Sequence, residues 1–187
     1  MLQKPLHFNH DILKEYIRPG DHVIDATVGN GNDTVFLAQL VGKDGKVDGF
    51  DIQAQAIEET GKKLLLTGLA QQTTLHHMGH ENIKKIINEN HSIAVCMFNL
   101  GYLPKGDKSI ITLPETTLSA LEQCTALLRT KGVLSIMVYH GHPGGAEEKD
   151  AVLTFAQHLP QKEFTVYKYE ILNQMHCPPF LLLIEKK

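Results

Sequence analysis

The sequence predicts an α/β protein with a seven-stranded, mostly parallel sheet, helices on both faces and an antiparallel last strand. Strand-like apolar runs alternate with helix-periodic segments along most of the chain. The run 93–98 is continuously apolar, as expected of a strand buried on both faces. The last two predicted strands, 164–172 and 180–185, follow each other without a helix, which indicates a hairpin.

The first half of the chain carries clear element boundaries. Apolar residues at helical spacing predict a helix over 8–17, which Pro19 and Gly20 end. A strand at 22–26 and a helix at about 33–41 follow, with Gly42 just past the helix end. A second strand at 46–51 precedes a helix at about 54–67 that Gly68 closes. A third strand at 73–78 and a short helix at 81–88 complete this half.

The second half begins with the buried fourth strand, 93–98, and a long loop over 99–111. Thr112 and Glu115 are spaced as a capping box, with Pro114 inside the first turn of a helix that reaches about Arg129. A fifth strand at 133–139 leads into a loop rich in glycine, proline and histidine. A helix ending near His158 comes before the final hairpin.

Composition limits the class of protein. The 187 residues are 42% hydrophobic, and we expect one domain over 1–187. No apolar run approaches the roughly 20 residues of a membrane span, and the N-terminus has no signal-peptide core, so we expect a soluble cytoplasmic protein. Three distant cysteines suggest neither disulfides nor a zinc site. A net charge of −3 argues against a broad nonspecific nucleic-acid surface but is compatible with contact to one RNA loop.

The loop after the first strand predicts a nucleoside-binding turn. Gly29 and Gly31 allow close approach of a ligand to the backbone. A dinucleotide site requires a third small residue where Thr34 stands, and Asp33 in the first helical turn would repel a pyrophosphate. Asp33, together with Asp25 at the strand end, favours a ligand with a cationic end, such as S-adenosylmethionine (SAM). An NAD oxidoreductase is disfavoured for the same reasons.

An acid at the end of the second strand completes this prediction. Asp51, 20 residues after Gly31, is placed to accept hydrogen bonds from ribose hydroxyls, and Gln53 is placed to reach the ribose or adenine. His80 or Glu81 is a candidate contact on the adenine side. The alternative for the glycine loop alone is an ordinary βα turn. The predicted cofactor-binding residues are Asp25, Thr27, Gly29, Asn30, Gly31, Asn32, Asp33, Asp51, Gln53, His80, Glu81 and Asn99.

The order of elements resembles the class I methyltransferase fold, a Rossmann-like architecture in which ligands bind outside the carboxyl ends of the strands. Methyltransferases of this class that modify amino nitrogens often carry Asn-Pro-Pro-Tyr after the fourth strand. Asn99 and Tyr102 keep that spacing, although Leu-Gly replaces Pro-Pro. The resemblance implies that Asn99 orients the target amine and that Tyr102 stacks on the base. The alternative is a turn-forming asparagine and a packed tyrosine.

Histidines provide a candidate proton acceptor. A primary amine with a pKa near ~10.4 must lose a proton before it attacks, and histidine can accept one near neutral pH. His140 and His142, in the loop after the fifth strand, are the candidates; the alternative is a glycine-shaped loop with solvated histidines. No acidic or cysteine partner is spaced for a metal beside the histidines at 76, 77 and 80, so we expect no metal site. Candidate phosphate contacts are Lys84, Lys85, Lys105 and Lys108.

The motifs together resemble one family across essentially the whole chain. They are Asp25-Ala26-Thr27-x-Gly29-x-Gly31-x-Asp33-Thr34, Asn99 to Pro104, Tyr139 to Gly145 and the loop from Asn173 to Pro179. The set is similar to the family long labelled "putative rRNA methylase", which includes the bacterial MnmM-type enzymes. Thr27 departs from the general D-x-G-x-G-x-G pattern but agrees with this family's own version.

The resemblance implies a SAM-dependent tRNA methyltransferase that converts 5-aminomethyl-2-thiouridine at the wobble position into 5-methylaminomethyl-2-thiouridine. Its macromolecular partner would be the tRNA anticodon stem-loop, and a homodimer would supply further RNA-binding surface. One alternative is a SAM-dependent methyltransferase acting on rRNA or on a small amine. The other is a non-catalytic nucleoside- or RNA-binding module, which would bind SAM or RNA without turnover.

Overall fold

The computed structural model describes residues 2–90, 92–103 and 110–187, and these ranges form one seven-stranded sheet. The strand order is β3-β2-β1-β4-β5-β7-β6. β7 runs antiparallel to its neighbours β5 and β6, whereas the other pairs are parallel. The predicted architecture is therefore confirmed. The strands are β1 (His22–Asp25), β2 (Lys46–Asp51), β3 (Thr73–His77), β4 (Ile93–Leu100), β5 (Leu128–Val138), β6 (Phe164–Tyr169) and β7 (Phe180–Lys186).

Helices cover both faces of the sheet. On one face the core contains Leu13, Leu37 and Leu64 from the first three helices. On the other face it contains Leu121 and Val152 from the last two. Each face thus buries one apolar layer between sheet and helices. The helices are α1 (Pro5–Tyr16), α2 (Asn32–Val41), α3 (Ala54–Thr67), α4 (Ile83–Ile86), α5 (Pro114–Leu127) and α6 (Gly145–His158), and a 3₁₀ turn (His80–Asn82) precedes α4.

The central strand β4 is buried on both sides, as its continuous apolar sequence predicts. Cys96 and Phe98 belong to one core cluster, whereas Val95 and Met97 belong to the other, and all four are fully buried. β4 runs two residues further than predicted because its pairing with β5 continues as far as Leu100 and Val138. Residue 99 therefore lies on the end of a strand and not in the following loop.

The predicted capping box at the start of α5 is wrong. Pro114 does open the helix, but the cap position is Leu113 and no side chain caps the helix. The Thr112 hydroxyl instead donates to Glu148 Oε2 of α6 at 2.6 Å and accepts from the Gly101 N–H at 2.9 Å. A tertiary hydrogen bond to a buried carboxylate thus replaces the local cap.

Candidate functional site

A cavity of about 1020 Å³ opens at the carboxyl edge of the sheet. Its volume is at the upper end of the roughly 300–1,000 Å³ range of small-molecule sites. The segments that follow β1 to β5 form its wall together with one side of α1. Asp25 and Gly31 do not line it. The predicted site residues in the wall are Thr27, Gly29, Asn30, Asn32, Asp33, Asp51, Gln53, His80, Glu81, Asn99, Tyr102, His140 and His142.

The glycine turn between β1 and α2 is shaped by packing from α3. Gly31 has φ +71°, and a Cβ there would lie 2.4 Å from Thr60 Oγ1, so the position admits only glycine without rearrangement. Lys63 Nζ, also on α3, donates to the Asn30 carbonyl at 2.6 Å and to Asn32 Oδ1 at 2.8 Å. Gly31 therefore allows close packing inside the protein, whereas Gly29 faces the cavity.

Asp51 holds the same turn from the end of β2. Its Oδ2 accepts from the Gly29 N–H and its Oδ1 from the Gln53 N–H, both at 2.8 Å. Each carboxylate oxygen can accept more than one hydrogen bond. Asp51 is only partly buried and lines the cavity, so it retains acceptor capacity toward a ligand hydroxyl.

Asp25 lies beneath the turn and not in the cavity. It is fully buried, and its oxygens accept from the Thr27 N–H at 3.1 Å and the Thr34 hydroxyl at 2.6 Å. Burial, and then the nearby Asp33 carboxylate, raise the pKa of Asp25 to about 7. The expected direct contact between Asp25 and a ligand cation is therefore not supported by its geometry.

Asp33 and Asn99 meet in the cavity wall. Asn99 Nδ2 donates to Asp33 Oδ2 at 2.7 Å, and the Asn99 backbone N–H donates to Thr27 Oγ1, also at 2.7 Å. The other Asp33 oxygen accepts from His10 Nε2 of α1 at 2.8 Å. The two predicted residues are thus joined, and His10 completes a group that also lines the cavity.

Contacts with residues 111 and 112 fix the start of the loop after β4. The Gly101 N–H and carbonyl bond the side chain and backbone of Thr112, and Tyr102 forms an antiparallel bridge with Ile111. Tyr102 is 40% exposed, and its ring meets the His142 ring edge-on, with 5.5 Å between ring centroids. Tyr102 therefore presents an accessible aromatic ring at the cavity mouth.

The two candidate proton acceptors differ in their contacts. His140 Nε2 lies 3.2 Å from the Pro178 carbonyl, so this nitrogen carries hydrogen and Nδ1 keeps a lone pair. Both nitrogens of His142 face carbonyls at 2.9 Å, those of Pro143 and Tyr139. Because each nitrogen of His142 is directed at a carbonyl oxygen, neither is left to contact a ligand amine.

The three histidines near β3 point to separate partners. His76 Nε2 bonds Asp48 Oδ1 at 2.8 Å, and His77 Nε2 bonds the Ile52 carbonyl at 3.0 Å. His80 donates from Nδ1 to the Ala26 carbonyl at 3.2 Å, and burial lowers its pKa. A neutral His80 therefore keeps an acceptor nitrogen beside the cavity. Within residues 2–90, 92–103 and 110–187, no group of three side chains is arranged to hold a metal ion.

Several residues that line the cavity carry no functional signal in the sequence. His10 lies in the helix predicted over 8–17, but an amphipathic pattern does not indicate which element the helix faces. Leu6 lies before that predicted start, whereas α1 begins at Pro5. Tyr139 ends the predicted fifth strand and begins the histidine-containing motif, with no role predicted for its side chain. Burial, and then the Asp33 charge, raise the pKa of its phenol, which therefore stays protonated. Thr112 is predicted as part of a capping box, but it lines the cavity. Cys177 lines the cavity from the loop before β7.

Two of the candidate phosphate contacts lie away from this wall. Lys84 and Lys85 are exposed on α4 and do not line the cavity. Lys105 and Lys108, with Pro104 of the Asn99 motif, lie outside the described residues.

No helix in the described part of the chain has the length and apolar character needed to cross a bilayer.

Similarity to known proteins identifies the family of this chain. The family model described as "Putative rRNA methylase" matches residues 47–185. The chloroplastic tRNA (mnm(5)s(2)U34)-methyltransferase of Arabidopsis thaliana is 38% identical over 193 residues, covering 99% of this chain and 70% of the relative. The crystal structure of a putative rRNA-methylase from Clostridium thermocellum has 47% identity, a TM-score of 0.97 and full coverage of both chains. A putative methyltransferase from Streptococcus mutans in complex with SAH has 44% identity, a TM-score of 0.91 and full coverage of both chains. The chain therefore belongs to the family described as "Putative rRNA methylase".

Proposed function

We propose that this protein is a SAM-dependent tRNA methyltransferase that methylates the amine of 5-aminomethyl-2-thiouridine at the wobble position. The observation that carries the proposal is that the glycine turn, Asp51 and Asn99 share one cavity. A relative named as a tRNA (mnm(5)s(2)U34)-methyltransferase, aligned over 99% of this chain, supports the choice of nucleoside. The family description names rRNA, so ribosomal RNA is the alternative acceptor.

The residues present fit SAM. Asp51 offers carboxylate oxygens to the ribose hydroxyls, and the turn at Gly29 brings backbone close to the ligand. The Asp33 carboxylate and Thr27 face the part of the cavity nearest Asn99, where they suit the cationic methionine end. Gln53, His80 and Glu81 form the adenine side in this placement. When bound, SAM supplies an electrophilic methyl group on its sulfonium.

In this placement the acceptor nucleoside is held by Asn99 and Tyr102, from the end of β4 and the loop after it. Asn99 Oδ1 accepts a hydrogen bond from the target amine and aims its lone pair toward the cofactor side. The exposed Tyr102 ring offers a stacking surface for the base. Such alignment can supply roughly 7–11 kcal/mol of the barrier reduction. Transfer then needs no covalent enzyme intermediate.

His140 is the proton acceptor in this scheme. Its Nε2–H is held by the Pro178 carbonyl, which leaves Nδ1 as the lone-pair nitrogen. The two nitrogens of His142 face the carbonyls of Pro143 and Tyr139, and its ring contacts Tyr102. His142 therefore has a structural role in the loop. His140→Gln should therefore lower kcat more than His142→Gln, and a larger loss in His142→Gln would reverse the assignment.

The experiment that tests the function is methyl transfer from labelled SAM to bulk tRNA from cells lacking the gene, followed by nucleoside mass analysis. One methyl gained on 5-aminomethyl-2-thiouridine supports reaction, substrate and position together. Label in ribosomal RNA or in a small amine would replace the tRNA assignment. SAM binding without transfer to any of these would favour a non-catalytic module.

Two variants separate cofactor from substrate roles. Asp51→Ala should weaken SAM binding measured by calorimetry, and unchanged affinity would contradict the cofactor placement. Asn99→Ala should lower kcat while SAM affinity stays nearly constant. The second variant serves as the control for the first, because both residues line the same cavity.

One sheet contains every strand of the described ranges, which supports a single domain over 1–187. The proposed partner is the tRNA anticodon stem-loop, and the proposed place of action is the cytoplasm. A homodimer remains a prediction that light scattering of the purified protein, alone and with tRNA, would decide.

A further inference from the structure

Three side chains from separate elements form a linear hydrogen-bonded group behind the proposed acceptor site. His10 of α1 bonds Asp33 Oδ1 at 2.8 Å, and Asn99 at the end of β4 bonds Asp33 Oδ2 at 2.7 Å. The Asp33 side chain is only 14% exposed and that of His10 27%. The group therefore connects the first helix of the chain to the residue that would orient the substrate amine.

Asp33 decides which end of the Asn99 amide faces the cavity. The oxygen and nitrogen ends of an asparagine side chain are nearly identical in shape, so a neighbour must fix them. A carboxylate only accepts hydrogen bonds, and it therefore takes the amide nitrogen. The Thr27 hydroxyl fixes the backbone of Asn99 at the same time. The amide oxygen is then the end available to an incoming amine.

His10 fixes Asp33 in turn. Since the carboxylate only accepts, His10 Nε2 carries the hydrogen of this bond. The His10 ring stacks on Phe36 of α2, with 4.1 Å between centroids and 14° between planes. The imidazole is thus held on one side by an aromatic ring and at its edge by Asp33. Rotation of the Asp33 carboxylate would break one of its two side-chain bonds.

We infer that His10 is a positioning residue for methyl transfer, which acts through Asp33 to keep the Asn99 amide oxygen directed at the acceptor amine. The inference rests on the proposed function and extends it to α1. It also assigns Asp33 a role in orienting Asn99, in addition to its proposed proximity to the cofactor cation. A purely structural role for His10, joining α1 to α2, is the competing explanation.

The substitution His10→Phe separates these explanations, because it keeps a ring over Phe36 and removes the donor to Asp33. We expect kcat to fall ~10- to 100-fold, since a small misplacement of a reacting group has an effect of this order. KM for SAM should stay within about twofold, as a positioning effect on the amine predicts. His10→Gln retains an N–H donor and should recover most of the lost rate. His7→Phe, at an exposed position of the same helix, is the matched control.

Two further measurements complete the test. In an Asn99→Ala background, His10→Phe should have no additional effect on kcat, because the residue it positions is gone. In ¹⁵N-labelled protein, the Asn99 side-chain amide resonances should shift in His10→Phe and return in His10→Gln. A wild-type kcat in His10→Phe, a rate loss that persists without Asn99, or unshifted amide resonances would overturn the inference. The resonance measurement needs no turnover, so it distinguishes failure of this inference from failure of the proposed function.

Discussion

Ionisation of the buried Asp25 should make the stability of the protein fall as pH rises through neutrality. Its pKa is about 7 in the folded protein, compared with an ordinary value of 3.8. Between these values the folded protein holds a proton that the unfolded chain has lost. The free energy of unfolding attributable to Asp25 is therefore fully present below pH 3.8 and is lost progressively as pH rises from 3.8 through 7.

The size of this effect follows from the two pKa values. Their separation corresponds to about 4 kcal/mol in total, of which roughly 2–3 kcal/mol is lost between about pH 5 and pH 8. Asp25→Asn removes the ionisation. Its amide oxygen can still accept from the Thr27 N–H, and its nitrogen can donate to the Thr34 hydroxyl. The stability of the variant relative to wild type should accordingly rise by roughly 2–3 kcal/mol over that range.

Urea unfolding of both proteins at unit steps from about pH 5 to pH 8 measures this difference directly. Asp44→Asn, at an exposed turn position, removes a charge of the same type without disturbing a buried group and provides the reference curve. A constant difference between Asp25→Asn and wild type would show that Asp25 does not change protonation in this range. A difference that shrinks with pH would refute the sign of the argument.

Three further changes test other contacts. Gly31→Ala should destabilise the protein by about 1–3 kcal/mol, because φ there is +71° and the new methyl group meets Thr60. Urea unfolding should show this loss and its partial recovery when Thr60→Ala is added. An unchanged unfolding midpoint in Gly31→Ala would mean that the turn adjusts. Ser135 Oγ donates to Asn9 Oδ1, but Asn9 Nδ2 is buried with no partner among the described residues. Replacing Asn9 by Leu and Ser135 by Ala together should therefore leave the melting temperature unchanged or raised. A markedly lower melting temperature would indicate an unseen partner of Asn9. Glu148→Ala should lower the free energy of unfolding by about 2–4 kcal/mol because two threonine hydroxyls lose their acceptor, and chemical denaturation should show a smaller loss for Glu148→Gln.

The sequence predicted the elements whose boundaries depend on local signals. The strand Lys46–Asp51 and the helix Ala54–Thr67 have the predicted bounds. Asp51 marks the end of the strand, Gln53 precedes the helix, and Gly68 marks the helix end. The capping box at Thr112 failed because its hydroxyl found a stronger acceptor 36 residues away. A local pattern cannot reveal competition from a distant carboxylate.

The site was predictable to the level of its strand ends. The carboxyl ends of parallel strands meet at one edge, so Asp51 and Asn99 were expected near the glycine turn. Whether a carboxylate at a strand end faces the cavity depends on its neighbours, and Thr34 holds Asp25 beneath the turn. The contribution of His10 depends on which helix packs beside α2, a tertiary choice with no sequence motif. The difference between His140 and His142 depends on carbonyls that only the folded loop brings together.

The position of β7 between β5 and β6 has a consequence for how the chain is assembled on the ribosome. β6 is made before β7 but pairs only with it, so β6 has no place in the sheet while it emerges. The edge of β5 stays open over the same interval, because its second neighbour is also β7. A nascent chain that stalls before Phe180 would thus expose an unpaired apolar strand edge, the kind of surface that chaperones recognise and that drives aggregation.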